Sequence, residues 1–136
     1  MATLSNTDLT VTDANITNLK DASGNNPSTP AEINSGRAKA WFNLNGTSTP
    51  AFRDSFNCAS ITDNGTGDHT VVITTDFGSV NYTAVGTAKE TDNTSVSGTI
   101  IGFNSQAAGS IRLITCNASF AAADCVLVYG VMFGDQ

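Results

Sequence analysis

Short runs of β-branched and aromatic residues, separated by turn residues, fill most of this chain. Ala40-Trp41-Phe42-Asn43-Leu44-Asn45 forms one such run and stops at Gly46. Thr-Val-Val-Ile-Thr-Thr, residues 70–75, is β-branched and of strand length. Just before it lies Asp63-Asn64-Gly65-Thr66-Gly67-Asp68. Asn-Gly favours the left-handed backbone of a tight hairpin, so residues 60–62 and 69–75 are expected to pair across it. Further strands are expected at 52–58, 81–85, 97–103 and 111–116. Residues 126–133 are nearly all apolar, as in a strand covered on both faces, by a second sheet or by another subunit. Helical periodicity is confined to single turns: Ala121 to Asp124, and Pro30 to Ile33 with Thr29 as N-cap. Several short strands with turns between them predict an all-β fold, an antiparallel β-sandwich over residues 37–136. Its expected core includes Trp41, Phe56, Ile73, Leu113 and Val128.

Residues 1–36 have a different pattern. Leu4, Leu9, Val11, Ile16 and Leu19 stand singly among Thr, Asn and Asp, too sparse to bury themselves in one chain. Disorder is one explanation. The other is an extended segment of which three copies pack around an axis. Residues 20–35 hold a Gly-, Asn- and Pro-containing loop, which places a domain boundary near Gly36.

Composition narrows the function classes. The chain has 136 residues, enough for one ordinary domain and an appendage. Charged residues make up 13%, against roughly 25% in typical domains, so Thr, Ser, Asn and Gly must build the surface. Net charge is −6 with six Lys and Arg and no basic run, which argues against nucleic acid as a partner. No apolar stretch approaches the ~20 residues of a membrane span, so membrane insertion is not expected. The first ten residues lack the pattern of a signal peptide.

Candidate chemistry is thin. Cys58, Cys116 and Cys125 are odd in number and lack CxxC spacing; buried thiols are expected, with a Cys116–Cys125 bridge the alternative if their strands adjoin. His69 is the only histidine, so one subunit cannot build a zinc site from it; a histidine replacing a strand aromatic is expected. Asp63, Asn64 and Asp68 share one loop, but not at EF-hand spacing, and Asn-Gly turns recruit Asp for backbone reasons. Six Asn-x-Ser/Thr sequons, from Asn15 to Asn117, follow from the wealth of Asn and Thr and are read as unmodified. Of the twelve carboxylates only Glu32 and Glu90 are Glu, and no opposed pair, G-x-S-x-G, phosphate loop or His dyad is recognisable. Neither an enzyme nor a cofactor or metal is expected.

Two segments carry a family resemblance. One is Gly36-Arg37-Ala38-Lys39-Ala40-Trp41-Phe42-Asn43-Leu44-Asn45-Gly46-Thr47, with Phe52-Arg53-Asp54-Ser55-Phe56-Asn57 and Ser60-Ile61-Thr62-Asp63-Asn64-Gly65-Thr66-Gly67-Asp68 after it. The other is the ending, Val126 to Asp135. Together they resemble the C-terminal, receptor-binding knob domains of bacteriophage tail fibre proteins, found in marine and other phages. Leu19 to Asn26 is similar to the linker that joins shaft to knob. Departures include His69, where the family shows Tyr, and Phe42 and Leu44, where it shows other apolar residues. The likeness covers roughly 19–83 and 111–135 and fades between Gly86 and Gly109.

The resemblance implies a homotrimeric adhesion module at the distal end of a virion tail fibre, joined to an upstream shaft and binding a host cell-surface receptor, glycan or outer-membrane protein. Where the likeness fades, residues 87–97 are rich in hydrogen-bonding groups, and Asn104-Ser105-Gln106 is expected to form a second polar loop. Receptor contacts are therefore expected at Lys89, Glu90, Asp92, Asn93, Asn104, Ser105 and Gln106, with lesser input from the 45–50 turn. Two other functions fit the same composition: a structural fibre or decoration piece without a receptor, and a carbohydrate-binding module of a non-phage surface protein.

Overall fold

Each strand of the sandwich alternates its side chains between a shared interior and an outer face. The computed structural model describes residues 19–20, 23–25, 27–91 and 99–136. Among these residues eight strands follow one short helix: α1 (Pro30–Gly36), β1 (Ala40–Asn45), β2 (Ala51–Phe56), β3 (Cys58–Gly65), β4 (Asp68–Ile73), β5 (Thr83–Lys89), β6 (Ile100–Ala107), β7 (Ser110–Cys116) and β8 (Leu127–Phe133). They form two four-stranded sheets, β2-β1-β8-β5 and β3-β4-β7-β6, with every pair antiparallel. The expected all-β sandwich is therefore present.

The chain divides by contacts into residues 1–34 and 35–136. In the first unit, Leu19 and Ser28 form a two-bond backbone bridge (2.8 and 2.7 Å). Thr29 caps α1 as expected. Its hydroxyl accepts from the Glu32 N–H at 3.1 Å, and the Glu32 carboxylate accepts from the Thr29 N–H at 2.7 Å. This capping box holds the Glu32 carboxyl below its usual range. The apolar series from Leu4 to Ile16 lies outside the described residues.

In the second unit the interior is built from Ala40, Phe42 and Leu44 on β1, Val71 and Ile73 on β4, Ile111 and Leu113 on β7, and Val128 and Met132 on β8. Phe77 and Tyr82 stack at 4.1 Å beside them. The Tyr82 hydroxyl donates to the Ser110 carbonyl at 3.0 Å, and burial pushes its pKa up to about 12. Two glycines leave room for aromatic rings to lie over the backbone. A Cβ on Gly130 would fall 2.5 Å from Phe42 Cε1, and one on Gly86 would fall 2.8 Å from Phe103 Cζ. Each aromatic ring therefore rests directly on backbone, and the two glycines are register partners on β8 and β5.

Ile73, Leu113 and Val128 are buried as expected, but Trp41 and Phe56 are not in the core. Trp41 has the opposite parity from Phe42, and Phe56 is its cross-strand partner, so both point outward from the first sheet. Within one chain β8 is covered on one face: Val128, Gly130 and Met132 are buried, while Tyr129 is exposed and Leu127, Val131 and Phe133 are half-buried.

Three further expectations change in detail. The β3–β4 hairpin forms, but it turns at Thr66-Gly67 and not at Asn64-Gly65. Gly67 has φ 66°, and a Cβ there would meet Ala123 N at 2.8 Å, so the later glycine takes the turn. Ala121 to Asp124 makes no helical turn: Ala122 bridges Cys116, and Thr115 donates to the Ala123 carbonyl at 2.7 Å. The chain passes from β2 to β3 through one residue, Asn57, at φ 57°. Its amide nitrogen donates to Lys39 O (3.0 Å) and Thr75 O (3.1 Å), and its amide oxygen accepts from Thr75 N (2.7 Å). An Asn tolerates this left-handed backbone and fastens the corner where the chain changes sheets.

Candidate binding faces

Because register partners share a face, the pairings read out what each sheet shows outward. Across the first sheet, Phe56 pairs Trp41, Trp41 pairs Val131, and Val131 pairs Val85. The result is an apolar row spanning all four strands. Phe56 is 53% exposed, Val85 54%, Trp41 37%, and Tyr129 in the next row 40%. The next row is Asp54, Asn43, Tyr129 and Thr87. Asn43 Oδ1 is buried there without a hydrogen-bond partner among the described residues. Between β5 and β8 the face dips into a shallow, open depression of about 330 Å3, lined by Val85, Gly86, Thr87, Tyr129, Gly130 and Val131.

The second sheet shows a different row. Thr62 pairs Thr70, Thr70 pairs Arg112, and Arg112 pairs Asn104. Arg112 binds Asp68 two-pronged: Nε donates to Oδ1 at 2.7 Å, and a terminal nitrogen donates to Oδ2. Asn64 donates to Asp68 at 3.3 Å and to the Thr70 hydroxyl at 2.9 Å. The hydrogen bond from Arg112, chiefly, holds the Asp68 carboxyl below its usual range, and the same contact raises Arg112. Four side chains thus form one fixed, solvent-facing polar network, with Asn104 beside it. Such a planar array of donors and acceptors suits hydroxyl-rich ligands.

Strand direction separates the two ends of the sandwich. The chain enters at Lys39, whose N–H donates to Met132 O at 2.9 Å, and it leaves at the same end, where Gly78 N–H donates to Asp135 O at 2.7 Å. The opposite end carries the 45–50 turn, the Thr66-Gly67 turn, the 117–126 connection and the end of β5. The Arg112–Asp68 network lies toward that opposite end, since Asp68 opens β4 directly after the turn.

Among the described residues, the sequence-predicted site residues lie on two different faces. Lys89 closes β5 opposite Leu127, on the outer face of the first sheet. Glu90 follows it, its carbonyl accepting from Val126 N–H at 3.4 Å. Asp92 and Asn93 lie outside the described residues. Asn104 is on the outer face of the other sheet, opposite Arg112. Asn104, Ser105 and Gln106 form no loop: they lie inside β6 at an irregularity, with Ser105 at φ 43°. Gln106 turns toward the entry end and donates to Val80 O (3.1 Å) and Tyr82 O (2.5 Å), so it ties the domain together. Sequence reading missed Arg112, Thr70 and Asn64 as a set. The signal for two of them is a polar residue inside an apolar strand, Thr70 in β4 and above all Arg112 within Ile111–Ile114.

His69 is fully buried on β4, and neither ring nitrogen has a partner among the described residues. No group of three or more His, Cys, Asp or Glu gathers among the described residues in a way that would hold a metal. The three thiols are free. Cys58 lies 3.5 Å from the carbonyls of Trp41 and Phe56, and burial pushes its pKa up to about 11. Compared with protein-family models, curated proteins and solved structures, the chain matches none.

Proposed function

We propose that this chain is the receptor-binding tip of a phage tail fibre: a non-enzymatic adhesion module, used as a homotrimer at the distal end of the virion fibre. The observation that carries the proposal is the fixed polar network on the second sheet. Arg112, Asp68, Asn64 and Thr70 hold one another in place, with Asn104 alongside, toward the end of the sandwich away from chain entry. A rigid display of hydroxyl, amide and guanidinium groups on a charge-poor domain is suited to the hydroxyls of a host glycan. Prior fixation of Arg112 lowers the ordering cost of binding. The motifs from Gly36 to Asp68 and from Val126 to Asp135 point to the same class. Three copies on one fibre raise effective concentration, so a weak single site suffices.

The test uses labelled full-length chain on a glycan array and on a panel of bacterial strains. The proposal expects binding to a subset of glycans or strains. Arg112→Ala and Asn104→Ala, folded and of unchanged mass, lose that binding at least tenfold; Lys89→Ala and Glu90→Ala retain most of it. Absence of any binding favours a purely structural fibre piece. Glycan binding by a monodisperse monomer favours a carbohydrate-binding module of another kind of surface protein.

A further inference from the structure

We infer that the outer face of the first sheet is where copies of this chain meet, the β2 edge of one against the β5 edge of the next. This deepens the proposed assembly and rests on it for the number of copies. The row Phe56–Trp41–Val131–Val85 crosses the whole sheet without an ionisable group. For a chain of net charge −6 that is the surface on which two copies approach with least repulsion. Trp41, Phe56 and Tyr129 leave on the order of 200–300 Å2 of aromatic surface open, taking 150–250 Å2 for a fully exposed ring side chain. With Val85 and Val131 the patch enters the range of ~300–600 Å2 that marks functional faces on single chains. It would form the apolar centre of an interface giving about 800 Å2 per partner.

The shape of the face selects a second copy over an unrelated partner. Phe56 projects at the β2 edge, and the shallow 330 Å3 depression lies between β5 and β8 at the other edge. A protruding ring and an apolar depression at opposite edges of one face join head to tail. Such a contact closes into a ring when the rotation between copies is fixed.

The experiment measures mass in solution by light scattering over a wide range of concentration. It compares the full chain with Phe56→Arg, Val85→Arg, the milder Phe56→Ser and Val85→Ser, and Arg112→Ala. The inference expects the parent and Arg112→Ala to stay assembled. The arginine variants fall to the 14.0 kDa of one chain while keeping a cooperative melt. The serine variants shift the dissociation midpoint at least tenfold upward. A parent of single-chain mass at every concentration overturns both the assembly and this inference. An assembled parent whose folded arginine and serine variants remain equally assembled overturns this inference alone.

Discussion

The two sheets share one interior and are alike in strand number, yet their outward rows have little in common. The first presents Phe56, Trp41, Val131 and Val85; the second presents Thr62, Thr70, Arg112 and Asn104. The inner rows are dictated by packing: Phe42 can sit only on a glycine at position 130. No such demand acts on the outer rows, so their composition reflects what each face meets. An outward Trp–Phe pair costs solubility unless something covers it, whereas an outward Arg–Asp couple is at ease in water. On the reading proposed above, the apolar side serves assembly and the polar side recognition.

The sharpest way to probe that contrast is to compare neighbours of opposite parity. Phe42→Ala empties the interior and is expected to cost about 3–5 kcal/mol. Gly130→Ala places a methyl into the Phe42 ring and is expected to cost about 1–3 kcal/mol. Trp41→Ala, measured where copies are dissociated, removes a side chain already more than a third exposed and is expected to cost about 1–2 kcal/mol. Urea denaturation of the three variants gives this ranking. If Trp41→Ala costs as much as Phe42→Ala, Trp41 belongs to the core and the division of faces fails.

The polar face is probed by pH. Arg112 depresses the Asp68 carboxyl, so Asp68 stabilises the fold fully above its unfolded pKa near 3.9. That contribution is lost as pH falls through the depressed folded value. Asp68→Asn is thus expected to melt below the parent at pH 7 and pH 5, with the gap narrowing toward pH 2. A gap independent of pH would mean that the carboxylate charge contributes nothing. The effect is small because Arg112 is exposed and the pair sits at the surface, where solvent screens it. Smaller still is the signal from Cys58, behind the apolar row. With a thiol pKa near 11 it is protonated at pH 8, so alkylation of the folded chain is expected to be slow and to accelerate on unfolding. Rapid native labelling would show that the edge near Trp41 and Phe56 opens.

Much of the fold was legible in the sequence. Ala40 to Asn45 is a strand with the expected bounds, and β7 and β8 fall within a residue of where their apolar runs suggested. Parity was not legible in β1, because Trp41 and Phe42 are both large and apolar and only packing decides which turns inward. The β3–β4 turn slipped two residues because either Asn64-Gly65 or Thr66-Gly67 can supply left-handed backbone, and the contact of Gly67 with Ala123 chooses. β5 extends through Gly86-Thr87-Ala88-Lys89, three of them (Gly86, Ala88 and Lys89) of weak strand propensity, because β8 offers a full ladder to pair with. The predicted receptor residues scattered for the same reason. Polar composition identified Lys89 and Asn104 but said nothing of which face each would occupy, and the Arg112 network needs three strands to exist.

Oxidative footprinting by hydroxyl radicals tests the division of faces most directly, since Trp41, Phe56 and Tyr129 all react and all lie on the first sheet. The account predicts that these three side chains are protected at high protein concentration and become labelled together on dilution, while exposed Phe120, outside that face, is labelled equally throughout. Labelling of Trp41, Phe56 and Tyr129 that does not change with concentration, in a sample whose mass shows assembled chains, would contradict it.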